Sequence, residues 1–136
     1  MKQDNFIVIT DMKEIQTQFA SCSPFNIVND TKGINKQEII EIAQEIADLL
    51  KQGQYKRCVI YRHNKNTYAC IVKLRCKDNI RKKGKSNGYR CIVLVDEKRY
   101  LGIPLHIYRH GHGEDKNISQ SDKNKLKSLV QEYIES

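Results

Sequence analysis

Apolar positions along the chain keep one period for a stretch and then switch, and each switch marks an element. Phe6-Ile7-Val8-Ile9-Thr10 is a short, β-branched apolar run that predicts a buried strand. Met12 to Ala20 continues as a helix, with Ile15 and Phe19 four residues apart on one side. Between Ser21 and Gly33, Ser23-Pro24 and Asn29-Asp30 supply turn chemistry and predict irregular backbone. Asn35 then caps a helix over 36–51: Glu38 stands three residues on, as in a capping box, and Gly53 follows the end. Ile39, Ile40, Ile42, Ala43, Ile46, Ala47, Leu49 and Leu50 recur at three- and four-residue steps, so one stripe of this helix must be buried.

Beyond Gly53 the period falls to two. Arg57 to Arg62 and Thr67 to Cys76 read as a hairpin around His63-Asn64-Lys65-Asn66, and Tyr89 to Val95 and Tyr100 to Tyr108 as a second around Asp96-Glu97-Lys98-Arg99. Leu126, Leu129, Val130, Tyr133 and Ile134 return to a helical period within Ser119 to Glu135. The order predicts an α+β fold: an N-terminal strand and helices on one side of a small antiparallel sheet, closed by a C-terminal helix. There is no repeat, low-complexity tract or Pro/Gly/Ser linker, so residues 1–136 are expected to form a single domain.

Charge changes this picture more than composition does. The 136 residues hold 24 Lys and Arg against 16 Asp and Glu, a formal net charge of +8, with 39% hydrophobic residues to build a core. Residues 1–50 carry 4 basic and 8 acidic groups, whereas 51–110 carry 16 basic and 3 acidic, a local excess of +13. So many like charges in one domain repel, and a polyanion would relieve that repulsion. Nucleic acid is the favoured partner, since no basic amphipathic helix points to a lipid surface. No run approaches the roughly 18 consecutive apolar residues of a membrane span, and Met1-Lys2-Gln3-Asp4-Asn5 lacks the pattern of a signal peptide, so a cytoplasmic protein with no membrane partner is expected. The five cysteines form no C-x-x-C pair and are expected to be reduced thiols, chiefly buried.

Alternation also places candidate chemistry. Tyr68, Cys70, Val72, Leu74 and Cys76 face one way, which turns Lys73 and Arg75 together to the other. The following segment, Arg81-Lys82-Lys83-Gly84-Lys85-Ser86-Asn87-Gly88, adds four cations, and Tyr89-Arg90 enters the next strand, where a guanidinium can grip phosphate through two nitrogens. The last strand ends in Tyr108-Arg109-His110-Gly111-His112-Gly113, whose histidines could transfer a proton near neutral pH. His106, His110 and His112 also have spacings of four and two, but no Cys or paired carboxylate completes a tetrahedral set, so no metal is expected.

Lys73-Leu74-Arg75, then Gly84-Lys85-Ser86-Asn87-Gly88-Tyr89-Arg90 opening a strand, then Leu105-His106-Ile107-Tyr108 before a terminal helix, resembles the RelE/ParE toxin superfamily, with the nearest likeness to its HigB/RelE-type mRNA interferases. The likeness covers Asn35 to Tyr133, while about 11–35 looks like an enlarged version of the family's first helical region. It implies the toxin of a bacterial toxin–antitoxin pair, an endoribonuclease that needs no metal or cofactor and cuts mRNA on the ribosome, silenced by a cognate antitoxin. It further implies that Lys73, Arg75, Arg90 and either His110 or His112 carry the chemistry. Lys73 would be the base and the histidine the general acid, while Lys82, Lys83, Lys85, Tyr89, Tyr108 and Arg109 contact RNA. The family's last-strand motif departs here, because Gly111 to Gly113 lengthen the loop after Tyr108. Two other functions fit the same basic face: a non-catalytic, ParE-like toxin directed at DNA gyrase, and a plain RNA- or ribosome-binding module.

Overall fold

The computed structural model describes residues 5–63, 68–77, 88–109 and 118–135. They form β1 (Ile7–Val8), α1 (Met12–Gln18), α2 (Ile27–Asp30), α3 (Lys36–Gln52), a 3₁₀ turn (Gln54–Cys58), β2 (Val59–Arg62), β3 (Ala69–Cys76), β4 (Tyr89–Asp96), β5 (Leu101–Arg109) and α4 (Gln120–Glu135). The fold is α+β, with a five-stranded sheet of order β1-β5-β4-β3-β2. Among the described residues, no helix is long and apolar enough to cross a membrane.

Local sequence explains the best-formed helix. The Asn35 side chain accepts the Glu38 N–H at 2.8 Å, and Gly53 ends α3 with φ of 79°, a conformation that costs a Cβ-bearing residue free energy. The reciprocal half of the expected capping box is replaced by another bond. The Glu38 carboxylate turns inward, nearly buried, and takes the Tyr89 hydroxyl of β4.

All of β4 is buried, so both faces of the sheet are covered. Tyr89 and Asp96 are seven residues apart on one strand and therefore point to opposite faces. Tyr89 meets Glu38 of α3, whereas Asp96 accepts the Tyr133 hydroxyl of α4 at 2.5 Å. Helices thus lie on both faces, not on one side as the element order suggested, because a continuous apolar β4 has two faces to shield. The sheet is also mixed, since β1 runs parallel to β5 while the other pairs are antiparallel. Ile7 and Ile9 donate to the Tyr100 and Gly102 carbonyls, and β1 ends there, leaving Ile7 64% exposed and the expected buried strand a two-residue edge. Two further expectations shift. The 21–33 segment includes the single helical turn α2, and Gln54–Cys58, which overlaps the expected second strand, winds into a 3₁₀ turn that leaves Cys58 exposed while the other four thiols are buried.

Gly102 is where β5 passes closest to α3. An added Cβ would lie 3.0 Å from Leu50 Cδ1 and 3.3 Å from Val8 Cγ2, so glycine lets the helix and strand meet. At the other end of the β4–β5 connection, Asp96 is fully buried and accepts from Lys98 N and Arg99 N, each at 2.9 Å, from the Arg99 guanidinium at 3.0 Å, and from Tyr133. Burial acts to raise the Asp96 pKa, but the Tyr133 and Arg99 hydrogen bonds outweigh it and hold the carboxyl below its ordinary value.

A carboxyl with a depressed folded-state pKa stabilises the fold above the unfolded value, about 3.9, and that contribution disappears as pH falls through the folded value. Tyr133→Phe should cost about 1.5–3 kcal/mol at pH 7 and lose less further stability than wild type as pH falls, because a less depressed Asp96 takes up its proton more nearly as the unfolded chain does. Urea unfolding between pH 7 and pH 3 measures both effects; identical curves for variant and wild type would contradict this role for Asp96.

Candidate functional site

In an antiparallel ladder, directly opposed residues share a face. Lys73 pairs with Ile92 and Ile92 with His106; Arg75 pairs with Arg90 and Arg90 with Tyr108. These two rows lie on the face that carries Asp96, at the other end of β4 from it. Strands about 4.8 Å apart and a two-residue step of about 6.7 Å gather three cations, a phenol and an imidazole into a patch roughly 10 by 7 Å. Helix α4 holds the Asp96 end of this face, with Lys127 above the Tyr61 ring and Tyr133 bonded to Asp96.

The membership of this patch depends on one irregularity. Val93 pairs with Pro104 but Ile92 pairs with His106, so Leu105 is an extra residue bulged out of the β5 ladder. Before the bulge, Gly102 and Pro104 lie on the α3 face; after it, His106 and Tyr108 lie on the opposite, cationic face. Proline has no N–H to contribute to the ladder and suits the position beside a bulge.

Exposure is graded across the patch. Arg75 is exposed, Lys73 partly so, and Arg90 and Tyr108 are nearly buried, so Arg75 forms a rim and Arg90 the floor. Lys73 Nζ lies 5.9 Å from the centre of the Tyr108 ring. The His106 ring stacks on Phe25 at 4.3 Å, with only 2° between planes, and leans on Tyr108 at 4.8 Å. His106 Nδ1 is 2.7 Å from Asp30 Oδ2, and the same oxygen accepts the Ile107 N–H at 3.2 Å. Asp30 therefore closes the edge of β5 that the short β1 leaves uncovered, and it fixes the imidazole as it does so.

Of the residues singled out in the sequence, the structure brings Lys73, Arg75, Arg90 and Tyr108 together. Tyr89 and Arg109 do not join them. Both lie on the α3 face, where the buried Tyr89 ring stacks under the Arg109 guanidinium at 4.7 Å and Arg109 sits 3.9 Å from Glu38. Tyr89 is thus a core residue with its hydroxyl committed to Glu38, and the expected RNA contact through it is not supported by its position. Arg109 borders a cleft of about 310 Å³ that Asp30, Tyr89 and Tyr108 also line, so it reaches the edge of the patch at Tyr108. His110, His112, Lys82, Lys83 and Lys85 lie outside the described residues.

Sequence reasoning did not join Asp30 to His106: it read Asp30 as a turn residue and weighed His106 only as a metal ligand and as part of the family motif. They are 76 positions apart, and Asp30 carries the local signature of a turn, so nothing near it announces a histidine partner. Unbroken alternation through β5 would have placed His106 with Gly102, on the wrong face. Compared with protein-family models, curated proteins and solved structures, the chain matches none.

Polyanion binding should follow the rows. Arg75→Ala and Lys73→Ala should each weaken binding of a single-stranded oligonucleotide and reduce the slope of log affinity against log salt by about 1. Tyr89→Phe should leave that slope unchanged while losing about 1.5–3 kcal/mol of stability through Glu38. A salt titration of binding for the three variants tests this, and an unchanged slope in Arg75→Ala would remove the patch from the interface.

Proposed function

We propose that this chain is the toxin of a bacterial toxin–antitoxin pair and acts as a metal-independent endoribonuclease on ribosome-bound mRNA. The observation that carries the reading is the alignment of Arg75 against Arg90, with Lys73 one row away, on one face of the sheet. Two guanidiniums side by side, with an ammonium one row away, offer the several N–H donors and the positive charge that suit a phosphate. The resemblance of the Lys73-Leu74-Arg75 and Lys85-to-Arg90 segments to the toxin superfamily supplies the identity of that anion: an RNA phosphodiester.

Cleavage would proceed by attack of an RNA 2′-hydroxyl on the adjacent phosphate, giving a cyclic phosphate and a 5′-hydroxyl. Arg90, held rigidly by β4, and Arg75 at the rim would stabilise the negative charge that builds on the phosphorane. Lys73 was expected to serve as the base. With Nζ 5.9 Å from the centre of the Tyr108 ring and two guanidiniums on the same face, it is assigned instead the part of a cation and proton donor. A cognate antitoxin with an acidic segment would silence the protein by covering this face, with salt-sensitive association.

Induced expression should halt growth and shorten transcripts within coding regions, detected by primer extension with and without ribosomes. Arg90→Ala should reduce single-turnover cleavage on saturating programmed ribosomes roughly 10²- to 10³-fold, as expected for one lost donor to a developing oxyanion. Intact transcripts with damaged chromosomal DNA would favour a gyrase-directed toxin, and RNA binding without cleavage would leave only a binding module.

A further inference from the structure

We infer that His106 is the general base of this reaction and that Asp30 is its positioning residue, an assignment that rests on the endoribonuclease reading above. Four observations converge on the pair. The bulge at Leu105 turns His106 onto the face that carries Lys73, Arg75 and Arg90. Phe25 and Tyr108 clamp the ring on two sides, which fixes its orientation. The side chain keeps 14% of its surface exposed, so it is not sealed in the core. Finally, Asp30 selects the tautomer. Its Oδ2 also accepts the Ile107 N–H, and a carboxylate in that place accepts from the ring as well; in a neutral imidazole this assigns the proton to Nδ1 and the lone pair to Nε2. Among the described residues, the charged groups that share the ring's face beside it are Asp30 from α2, Lys73 from β3 and Arg90 from β4, while Glu38 and Arg109 lie across the sheet.

In the reaction, Nε2 takes the proton of the 2′-hydroxyl as the O2′–P bond forms, and Asp30 stabilises the imidazolium that results. The P–O5′ bond breaks, and the leaving O5′ takes a proton from the Lys73 ammonium. The imidazolium then loses its proton to solvent and the lysine regains one, so no proton is consumed and the products are a 2′,3′-cyclic phosphate and a 5′-hydroxyl. A purely structural pair would only anchor the α1–α2 segment to β5.

Single-turnover cleavage by wild type, His106→Ala, Asp30→Asn and Arg90→Ala, with ribosome binding measured alongside, separates these roles. His106→Ala should lose roughly 10²- to 10⁴-fold in rate with little loss of binding, flatten the acid limb of the pH–rate profile, and regain activity with added imidazole. Asp30→Asn should lose rate while keeping the acid limb. Cleavage by His106→Ala at the wild-type rate, or a loss that imidazole does not restore, overturns the assignment while a slow Arg90→Ala leaves the nuclease reading standing. Absence of cleavage by wild type rejects the reading and the assignment together. Should His106→Ala fail to fold, the ¹⁵N shifts of the wild-type ring decide the matter: a proton on Nδ1 is required, and one on Nε2 alone excludes His106 as the base.

Discussion

The register of β3, β4 and β5, with its single extra residue at Leu105, is the constraint on which the rest of the site depends. Upstream of the bulge, β5 presents glycine to α3, where a Cβ at position 102 would crowd Leu50 Cδ1 at 3.0 Å and Val8 Cγ2 at 3.3 Å. Downstream, an unbroken ladder would drive His106 and Tyr108 into the same helix-covered face. The bulge satisfies both demands within one strand, since it shifts the alternation by one step without ending the pairing with β4. Leu105 itself remains buried, so the extra residue contributes to the core while it redirects its neighbours.

The two faces also differ in charge, through residues of α3, β3 and β4 that the bulge does not move. On the α3 face, Glu38 is buried with the Tyr89 hydroxyl and has Arg109 near it, and the outer side of α3 carries Glu41, Glu45 and Asp48 beside Lys77. On the other face Arg75 opposes Arg90, a pairing a sheet selected only for stability would avoid. The stabilising side of the balance is visible in the same strands. β4 is buried along its length, and Asp96 ties α4 to the β4–β5 turn through four accepted hydrogen bonds. The surrounding core holds these strands in place.

Much of this was legible in the residues. The period of Ile42, Ile46 and Leu50 and the caps at Asn35 and Gly53 locate α3 within a residue, and alternation in β3 turns Lys73 and Arg75 to one face as observed. Two kinds of information were not local. Glu38 has the spacing of a capping-box residue, yet its carboxylate is claimed by Tyr89, 51 positions away; likewise Asp30 looks like a turn former and is claimed by His106. Period-two reasoning also assumes that a ladder has no extra residue. It therefore misplaces everything in β5 beyond Leu105, and it cannot reveal that a continuous apolar strand such as β4 will be covered from both sides.

The most direct test of the two-faced arrangement is side-chain NMR of the protein with a short RNA that carries a 2′-O-methyl group at every position and so cannot be cut. The Nε–H signals of Arg75 and Arg90 and the ring signals of His106 should shift on titration, while Arg109 Nε–H stays in place. Shifts at Arg109 with Arg75, Arg90 and His106 unmoved would place the RNA on the α3 face and contradict the account.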